Sequence, residues 1–156
     1  MQMVLIAVGT KQPHWVNEAY ADYAGRMPPD YPLILREVKA EPRTLGKSVE
    51  AMMAAEADRI RAALPMHARL VVLDEMGSRL TSTALSERLA IWSEQTDPVA
   101  LVIGGPDGLH ESIKSGAREK IRLSDLTLPH GMVRVLMAEQ LYRAWSILKG
   151  HPYHRA

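Results

Sequence analysis

The run "VALVIGGPDG", from Val99 to Gly108, joins a continuous apolar stretch to a turn rich in glycine and proline. Short aliphatic runs that are closed by glycine are typical of strands buried on both faces of a parallel sheet. Two other runs share this pattern, "MVLIAVGT" (Met3 to Thr10) and "ARLVVLDEMG" (Ala68 to Gly77). The repeated pattern therefore predicts a sheet of buried strands.

Helical stretches separate these runs. They are "HWVNEAYADYAGRM", the alanine-rich "SVEAMMAAEADRIRAAL" and "TSTALSERLAIWSEQ", in which Thr81 or Ser82 is a natural N-cap. "LILREVKA" (Leu33 to Ala40) and "EKIRLSDL" are additional strand candidates. This alternation predicts an α/β fold, a parallel-rich sheet with helices on both faces. The length of 156 residues suits a single domain over residues 1–156.

The composition indicates a cytoplasmic protein. The sequence has no cysteine, which excludes disulfides and cysteine nucleophiles and favours a reducing compartment. Its start lacks the features of a signal peptide, and no apolar run approaches the about 18 residues that a membrane span needs. The net charge of +1 argues against a general nucleic-acid binder, although local patches matter more than the total. We expect no membrane partner.

The last predicted helix is apolar on more than one face. "MVRVLMAEQLYRAWSIL", from Met132 to Leu148, carries more apolar positions than the single stripe that one sheet face would bury. One interpretation is a core helix under a loop. The other is a helix that buries one face in the sheet and the other in a second subunit, which predicts a homodimer.

Parallel sheets bind ligands at the carboxyl ends of their strands, where three loops stand out. They follow Leu73, span Gly104 to Gly108, and run from Leu123 to Gly131. "IGGPDG" is neither a dinucleotide fingerprint nor a P-loop, and such a turn alone is most often structural. Its functional use would be close approach of the backbone to a flat ligand, since glycine has no Cβ.

Two further features of these loops have alternative interpretations. In "LTLPH", Pro129 fits a first helical turn and Thr127 could cap backbone donors. Asp74 and Glu75 end the strand that holds Leu73. Paired acids can do acid–base chemistry, but solvated loop acids are the commoner case.

The chain ends on "HPYHRA", which places His151, Tyr153, His154 and Arg155 close together. The two histidines have metal-like spacing, but they make only half a zinc site, and tyrosine and arginine are poor neighbours for a cation. We therefore expect no metal. Histidine, tyrosine and arginine are better suited to gripping a phosphate or a base edge and to moving a proton.

Taken together, these motifs resemble the small bacterial ribosomal RNA methyltransferases of the SPOUT superfamily. The motifs that match in order and spacing are "LDEMG", "LVIGGPDGL", "LSDLTLPH", "VRVLMAEQLYRAWSI" and "HPYHR". The resemblance implies a C-terminal trefoil knot, an obligate homodimer and S-adenosyl-L-methionine held by the backbone of three loops. Carried over to this sequence, the cofactor-binding residues are Leu73, Gly104, Leu123, Ser124, Asp125, Leu126, Thr127 and Leu128. At "GSRL" a Gly-Lys pair is commoner, and Arg79 could supply that charge.

The closest family methylates N3 of a pseudouridine in 23S ribosomal RNA of the assembled ribosome, and the resemblance implies this activity here. The acceptor nitrogen must lose a proton, and His154 is the natural general base. Arg155 or Arg143 would stabilise negative charge on the carbonyl oxygens of the base, and Tyr153 would contact the base. The tail would form a lid over the cofactor. The alternatives are a SPOUT methyltransferase for another rRNA or tRNA nucleotide, and a non-catalytic ribosome-binding factor.

Overall fold

The computed structural model describes residues 1–154, in which five strands form one sheet with every pairing parallel. The strand order is β2-β1-β4-β3-β5. The strands are β1 (Met3–Val8), β2 (Leu33–Val38), β3 (Arg69–Arg79), β4 (Val99–Ile103) and β5 (Glu119–Arg122). The three long apolar runs and both additional candidates are therefore strands, and the predicted parallel sheet is confirmed.

Within residues 1–154, four helices connect successive strands and a fifth follows β5. They are α1 (His14–Gly25), α2 (Val49–Ala63), α3 (Ser82–Ser93), α4 (Glu111–Ser115) and α5 (His130–Lys149). Thr81 is the N-cap of α3, because its side chain accepts a hydrogen bond from the backbone N of Ala84 at 3.0 Å. The short helix α4 was not predicted, because five residues are too few to carry a helical period. No helix within residues 1–154 has both the length and the apolar character to span a membrane.

The two faces of the sheet bury alternate residues of β1. Met3, Leu5 and Ala7 pack in one core with residues of α1, α3 and α5. Val4, Ile6 and Val8 pack in a second core with residues of α2 and α4. The period of two that a strand imposes thus places helices on both faces, as predicted.

Helix α5 packs against both α1 and α3 on one face of the sheet. Leu141 and Ala144 are 0% exposed within the chain, and the hydroxyl of Ser86 on α3 donates to the carbonyl of Ala144 at 2.9 Å. The apolar positions of α5 that one sheet face would leave uncovered thus find cover within the chain at Leu141 and Ala144. Two neighbouring helices supply that cover, which one of the two interpretations had assigned to a second subunit. The homodimer itself stays a prediction.

Strand β3 continues past Gly77, the residue that closes its apolar run. Its pairing with β5 shifts in register between Leu73 and Ser78, and the strand then extends to Arg79. A Cβ at Gly77 would lie 2.7 Å from the backbone carbon of Ile121, so glycine permits this close approach of the two strands. Asp74 and Glu75 consequently lie at an irregularity inside β3 and do not end the strand.

Candidate active site

A cavity of about 360 Å³ opens at the carboxyl edge of the sheet, where β3 and β4 meet the loops that follow them. A second cavity, of about 130 Å³, shares Leu73, Asp74, Glu75 and Val133 with the first and extends towards the loop between β5 and α5. We refer to the two together as the edge cavity. Its size is that of a small-molecule site. Its lining residues are Leu73, Asp74, Glu75, Ile103, Gly104, Gly105, Pro106, Asp107, Gly108, Leu109, Lys114, Arg122, Leu123, Ser124, Leu128 and Val133.

The structure brings together all three predicted segments at this cavity, although the one after Leu73 is an irregular part of β3 and not a loop. Five of the eight predicted cofactor-binding residues line it: Leu73, Gly104, Leu123, Ser124 and Leu128. The other three are exposed and do not line it: Asp125, Leu126 and Thr127. The Asp125 carboxylate pairs with Arg79 at 3.1 Å and with Arg122 at 3.3 Å, which ties the end of β3 to this loop.

The turn before α5 differs from the prediction in its capping. The hydroxyl of Ser124 accepts a hydrogen bond from the backbone N of Leu126 at 2.9 Å, the bond type that was expected of Thr127. Pro129 is the N-cap of α5, one residue before the first helical position, and makes no side-chain cap. His130 then anchors the helix start, since its Nε2 lies 2.6 Å from the carbonyl oxygen of Val8.

Gly104 is required by the turn itself. A Cβ at this position would lie 2.7 Å from the backbone carbon of Gly108 and 2.9 Å from the backbone N of Leu109. The turn also closes through a hydrogen bond from the N of Gly108 to the carbonyl of Gly105 at 3.0 Å. Glycine at 104 thus serves the tight closure of the turn, and a larger residue there would deform the turn as well as crowd a ligand.

Asp74 is not the solvated loop acid that the sequence favoured. Its side chain is 11% exposed, and one carboxylate oxygen lies 3.6 Å from the Nζ of Lys114. Lys114 comes from α4, the helix without a sequence signal, so this contact could not be anticipated. The edge cavity therefore has a partly buried acid and a nearby cation in its wall.

The described part of the tail packs on α5. The Tyr153 hydroxyl donates to Oε1 of Glu139 at 3.0 Å, and Nε and one terminal nitrogen of Arg143 donate to the same oxygen at 2.9 and 2.6 Å. Burial and the hydrogen bond to Glu139 raise the pKa of Tyr153 to about 12. Tyr153 therefore stays protonated at neutral pH and acts as a donor. Glu139, which organises this cluster, was missed because it looks like half of an ordinary surface pair.

Aromatic contacts complete this packing. The rings of Tyr142 and Tyr153 have centroids 4.6 Å apart, and the ring of His151 lies 5.3 Å from that of Trp145. His154 is partly buried, and its Nδ1 has no hydrogen-bond partner among residues 1–154. Arg155, the remaining predicted catalytic residue, lies outside the described residues.

The edge cavity and the tail are separate in one chain. None of residues 151–154 lines the cavity. Val133 lines the cavity and Glu139 holds the tail, and six helical residues at about 1.5 Å each put them roughly 9 Å apart along α5. Residues 151–154 thus lie on their own helix and not over the cavity of the same chain, and the lid stays a prediction. Within residues 1–154, no three potential ligand side chains are grouped to hold a metal ion.

A parallel α/β sheet with a ligand-sized cavity at its carboxyl edge defines a class of proteins that bind a small molecule there. Residues 1–154 match a protein family described as "Predicted SPOUT methyltransferase". The chain belongs to the SPOUT methyltransferase family.

Proteins and structures similar to this chain agree with that membership. The chain is 59% identical over 155 residues to the ribosomal RNA large subunit methyltransferase H of Leptothrix cholodnii, with 99% of each chain covered. It is 57% identical over 156 residues to the protein of the same name from Bordetella petrii, with 100% of each covered. A solved structure from work on the 2-OH methylation of C/U34 on tRNA is similar with a TM-score of 0.50 at 15% identity, covering 96% of this chain and 97% of that one. At that identity the likeness concerns the fold alone.

Proposed function

We propose that this protein transfers a methyl group from S-adenosyl-L-methionine to N3 of a pseudouridine in 23S ribosomal RNA of the assembled ribosome. Its relatives carry the name ribosomal RNA large subunit methyltransferase H, which supports the substrate. The observation that carries the proposal is the meeting of three sequence-distant segments, the irregular part of β3 after Leu73, the turn at Gly104 and the loop from Leu123, in one cavity at the sheet edge. Ribosomes as substrate would also place the protein in the cytoplasm.

The edge cavity fits the cofactor in size and in chemistry. Gly104, Gly105 and Gly108 of the turn line it, and backbone groups at such positions can hydrogen-bond an adenine without a charged side chain. The carboxyl groups of Asp74 and Asp107 suit a ligand with ribose hydroxyls and a cationic centre. When bound, the cofactor supplies an activated methyl group on sulfur. The residues of the cavity would fix its direction, and alignment of the methyl group with the acceptor nitrogen would lower the barrier to transfer.

On the acceptor side, we assign the proton transfer to His154. Tyr153 cannot be the base, because its pKa is raised to about 12 by burial and by Glu139. Nδ1 of the His154 imidazole is buried and makes no hydrogen bond among residues 1–154, so no described group occupies it, but the tail must rearrange before this nitrogen can take the imide proton. Arg143, with Arg155, would stabilise the negative charge that develops on the base.

We also propose that the active unit is a homodimer in which the tail of one chain acts on the acceptor base beside the edge cavity of the other. The separation of cavity and tail along α5 within one chain supports this arrangement. A twofold interface along α5 would repeat each contact twice and complete two equivalent sites. Mixing a cavity variant, Gly104→Ala, with a tail variant, His154→Ala, tests it. Mixed dimers would regain activity that neither variant has alone, whereas two sites each complete within one chain would regain none.

The substrate is tested with ribosomes from a strain that lacks the gene. The protein is added with labelled cofactor to assembled ribosomes, separated subunits and total tRNA, and the methylated nucleotide is mapped. We expect one N3-methylated pseudouridine in 23S rRNA of assembled ribosomes. Label in tRNA or at another rRNA nucleotide would contradict the proposed substrate. Ribosome binding without methyl transfer would contradict an enzymatic role.

A further inference from the structure

Helix α2 carries a buried carboxyl group beneath the turn of residues 104–108. The Glu56 side chain is 3% exposed, and its Oε2 accepts hydrogen bonds from the backbone N of Glu41 and from Arg43, both at 3.0 Å. Its Oε1 has no hydrogen-bond partner among residues 1–154. A buried carboxylate is costly unless a cation or donors compensate it, so Arg43 is the main compensation for Glu56.

Arg43 also binds a residue that lines the edge cavity. One terminal nitrogen of its guanidinium binds Glu56 and donates to the carbonyl of Glu41 at 2.7 Å. The other lies 3.0 Å from Oδ2 of Asp107, which belongs to the turn and lines the cavity. A planar guanidinium can bridge two carboxylates in this way, and a lysine ammonium cannot hold the same geometry.

The turn of residues 104–108 packs closely against the Glu56 carboxyl group. A Cβ at Gly105 would lie 3.0 Å from Oε1 of Glu56 and 3.1 Å from a methyl group of Val8. The start of the turn therefore lies on the Glu56 carboxyl, while Asp107, two residues further on, is held by Arg43. Both contacts lead back to α2, although the turn itself follows β4.

We propose that Arg43 is a positioning residue for the methyl donor: its bridge from Glu56 to Asp107 holds the turn 104–108 in the shape that binds the cofactor. Arg43 does not line the edge cavity, so it acts through Asp107 and not by contact with the ligand. This inference rests on the proposed function, because it names the cofactor that the turn receives. It extends the site to the segment between β2 and α2, which the resemblance did not assign.

The test is a double-mutant cycle on binding of S-adenosylhomocysteine, which avoids turnover. Arg43→Lys keeps a cation beside Glu56 but releases Asp107, and Asp107→Asn releases Arg43 from the other side. We expect Arg43→Lys to weaken binding roughly three- to ten-fold in the wild-type background and less than about two-fold when Asp107 is already Asn. The matched control is Arg59→Lys. Arg59 pairs with Glu41 on the same segment, touches neither end of the bridge and should leave binding unchanged.

The melting temperature of each variant is measured as well, because it distinguishes a loss of positioning from a loss of folding. If Arg43→Lys proves unstable, Arg43→Met combined with Glu56→Gln removes the buried charge together with its partner, and Glu56→Gln alone is its reference. Equal losses from Arg43→Lys in both backgrounds, or no loss in the wild-type background, would overturn the inference while leaving the proposed function intact. A wild-type protein that does not bind S-adenosylhomocysteine would contradict the proposed function, and this inference with it.

Discussion

The edge cavity and the tail are the two halves of the proposed active site, and they are built in different ways. The cavity is lined by residues of β3 and of the segments that follow β4 and β5, so the pairing of these three strands determines its shape. The tail is held by side chains, chiefly Glu139 with Tyr153 and Arg143. Sheet topology is hard to disturb, whereas side-chain contacts can be exchanged for others. The difference suggests that cofactor binding and methyl transfer can be impaired separately.

The largest expected effect is a loss of methyl transfer, without a loss of cofactor binding, when a tail residue is changed. His154→Ala should slow methyl transfer about 10²–10⁴-fold, because it removes the general base, and should leave cofactor binding unchanged. The measurement is single-turnover transfer to ribosomes beside calorimetric binding of S-adenosylhomocysteine. The matched control is His67→Asn, at an exposed turn with φ of 60°, a conformation that asparagine tolerates. Equal losses of binding and transfer would remove the distinction between the two halves.

A substitution in the edge cavity should instead impair cofactor binding. Gly104→Ala places a Cβ 2.7 Å from the backbone of Gly108, so the turn must shift. We expect cofactor affinity to fall by more than about ten-fold, together with a lower melting temperature. Gly25→Ala is the control, since a Cβ there meets nothing within 4 Å. Unchanged affinity in Gly104→Ala would show that the turn does not contact the cofactor.

A smaller effect on methyl transfer is expected when Glu139, which holds Tyr153 of the tail by a hydrogen bond, is changed. Burial is the larger cause of the raised pKa of Tyr153 and would remain, but Glu139→Gln removes the carboxylate that raises it further, so that pKa should fall below about 12. Ultraviolet titration of tyrosine measures the shift, with the Tyr153→Phe protein identifying the signal. Transfer should fall several-fold while cofactor binding stays the same. An unshifted titration would mean that the contact between Glu139 and Tyr153 does not persist in solution.

The smallest effect concerns the strand that leads into the cavity. Burial alone would raise the pKa of Glu119 on β5, but hydrogen bonds from Arg69, Trp92 and Arg88 outweigh it and lower the pKa. A lowered pKa contributes stability that is present above the unfolded-state pKa and is lost as pH falls through the folded-state value. Glu119→Gln should therefore cost about 1 kcal/mol of unfolding free energy near pH 7 and less at acidic pH. Denaturant unfolding at several pH values checks this, and a pH-independent cost would contradict it.

The sheet was predictable because each of its strands is marked by a pattern in its own short stretch of sequence. Continuous apolar runs indicated β1, β3 and β4. The alternation of the buried β1 residues between the two cores follows from strand geometry. The extension of β3 to Arg79 was not predictable. It depends on a register shift against β5 and on the space that Gly77 leaves for Ile121, and neither is a property of the strand's own sequence.

The site was predictable as a set of loops and not as a set of contacts. Leu73, Gly104 and Leu123 were expected at one edge because parallel strands end there together, and they line one cavity. Asp107 pairs with Arg43, which lies far away in the sequence, and no local pattern encodes such a pair. The placement of the tail was also beyond the sequence, since it depends on which face of α5 the neighbouring helices leave uncovered.

The central claim is that the edge cavity binds the cofactor on its own and that the tail serves only the acceptor. The most direct measurement removes the residues after Gly150 and compares S-adenosylhomocysteine affinity with the rate of methyl transfer to ribosomes. The account predicts an affinity within about two-fold of the full chain, because none of residues 151–154 lines the cavity, and a transfer rate lower by at least about 10²-fold. Loss of cofactor binding, or transfer at the full rate, would contradict it.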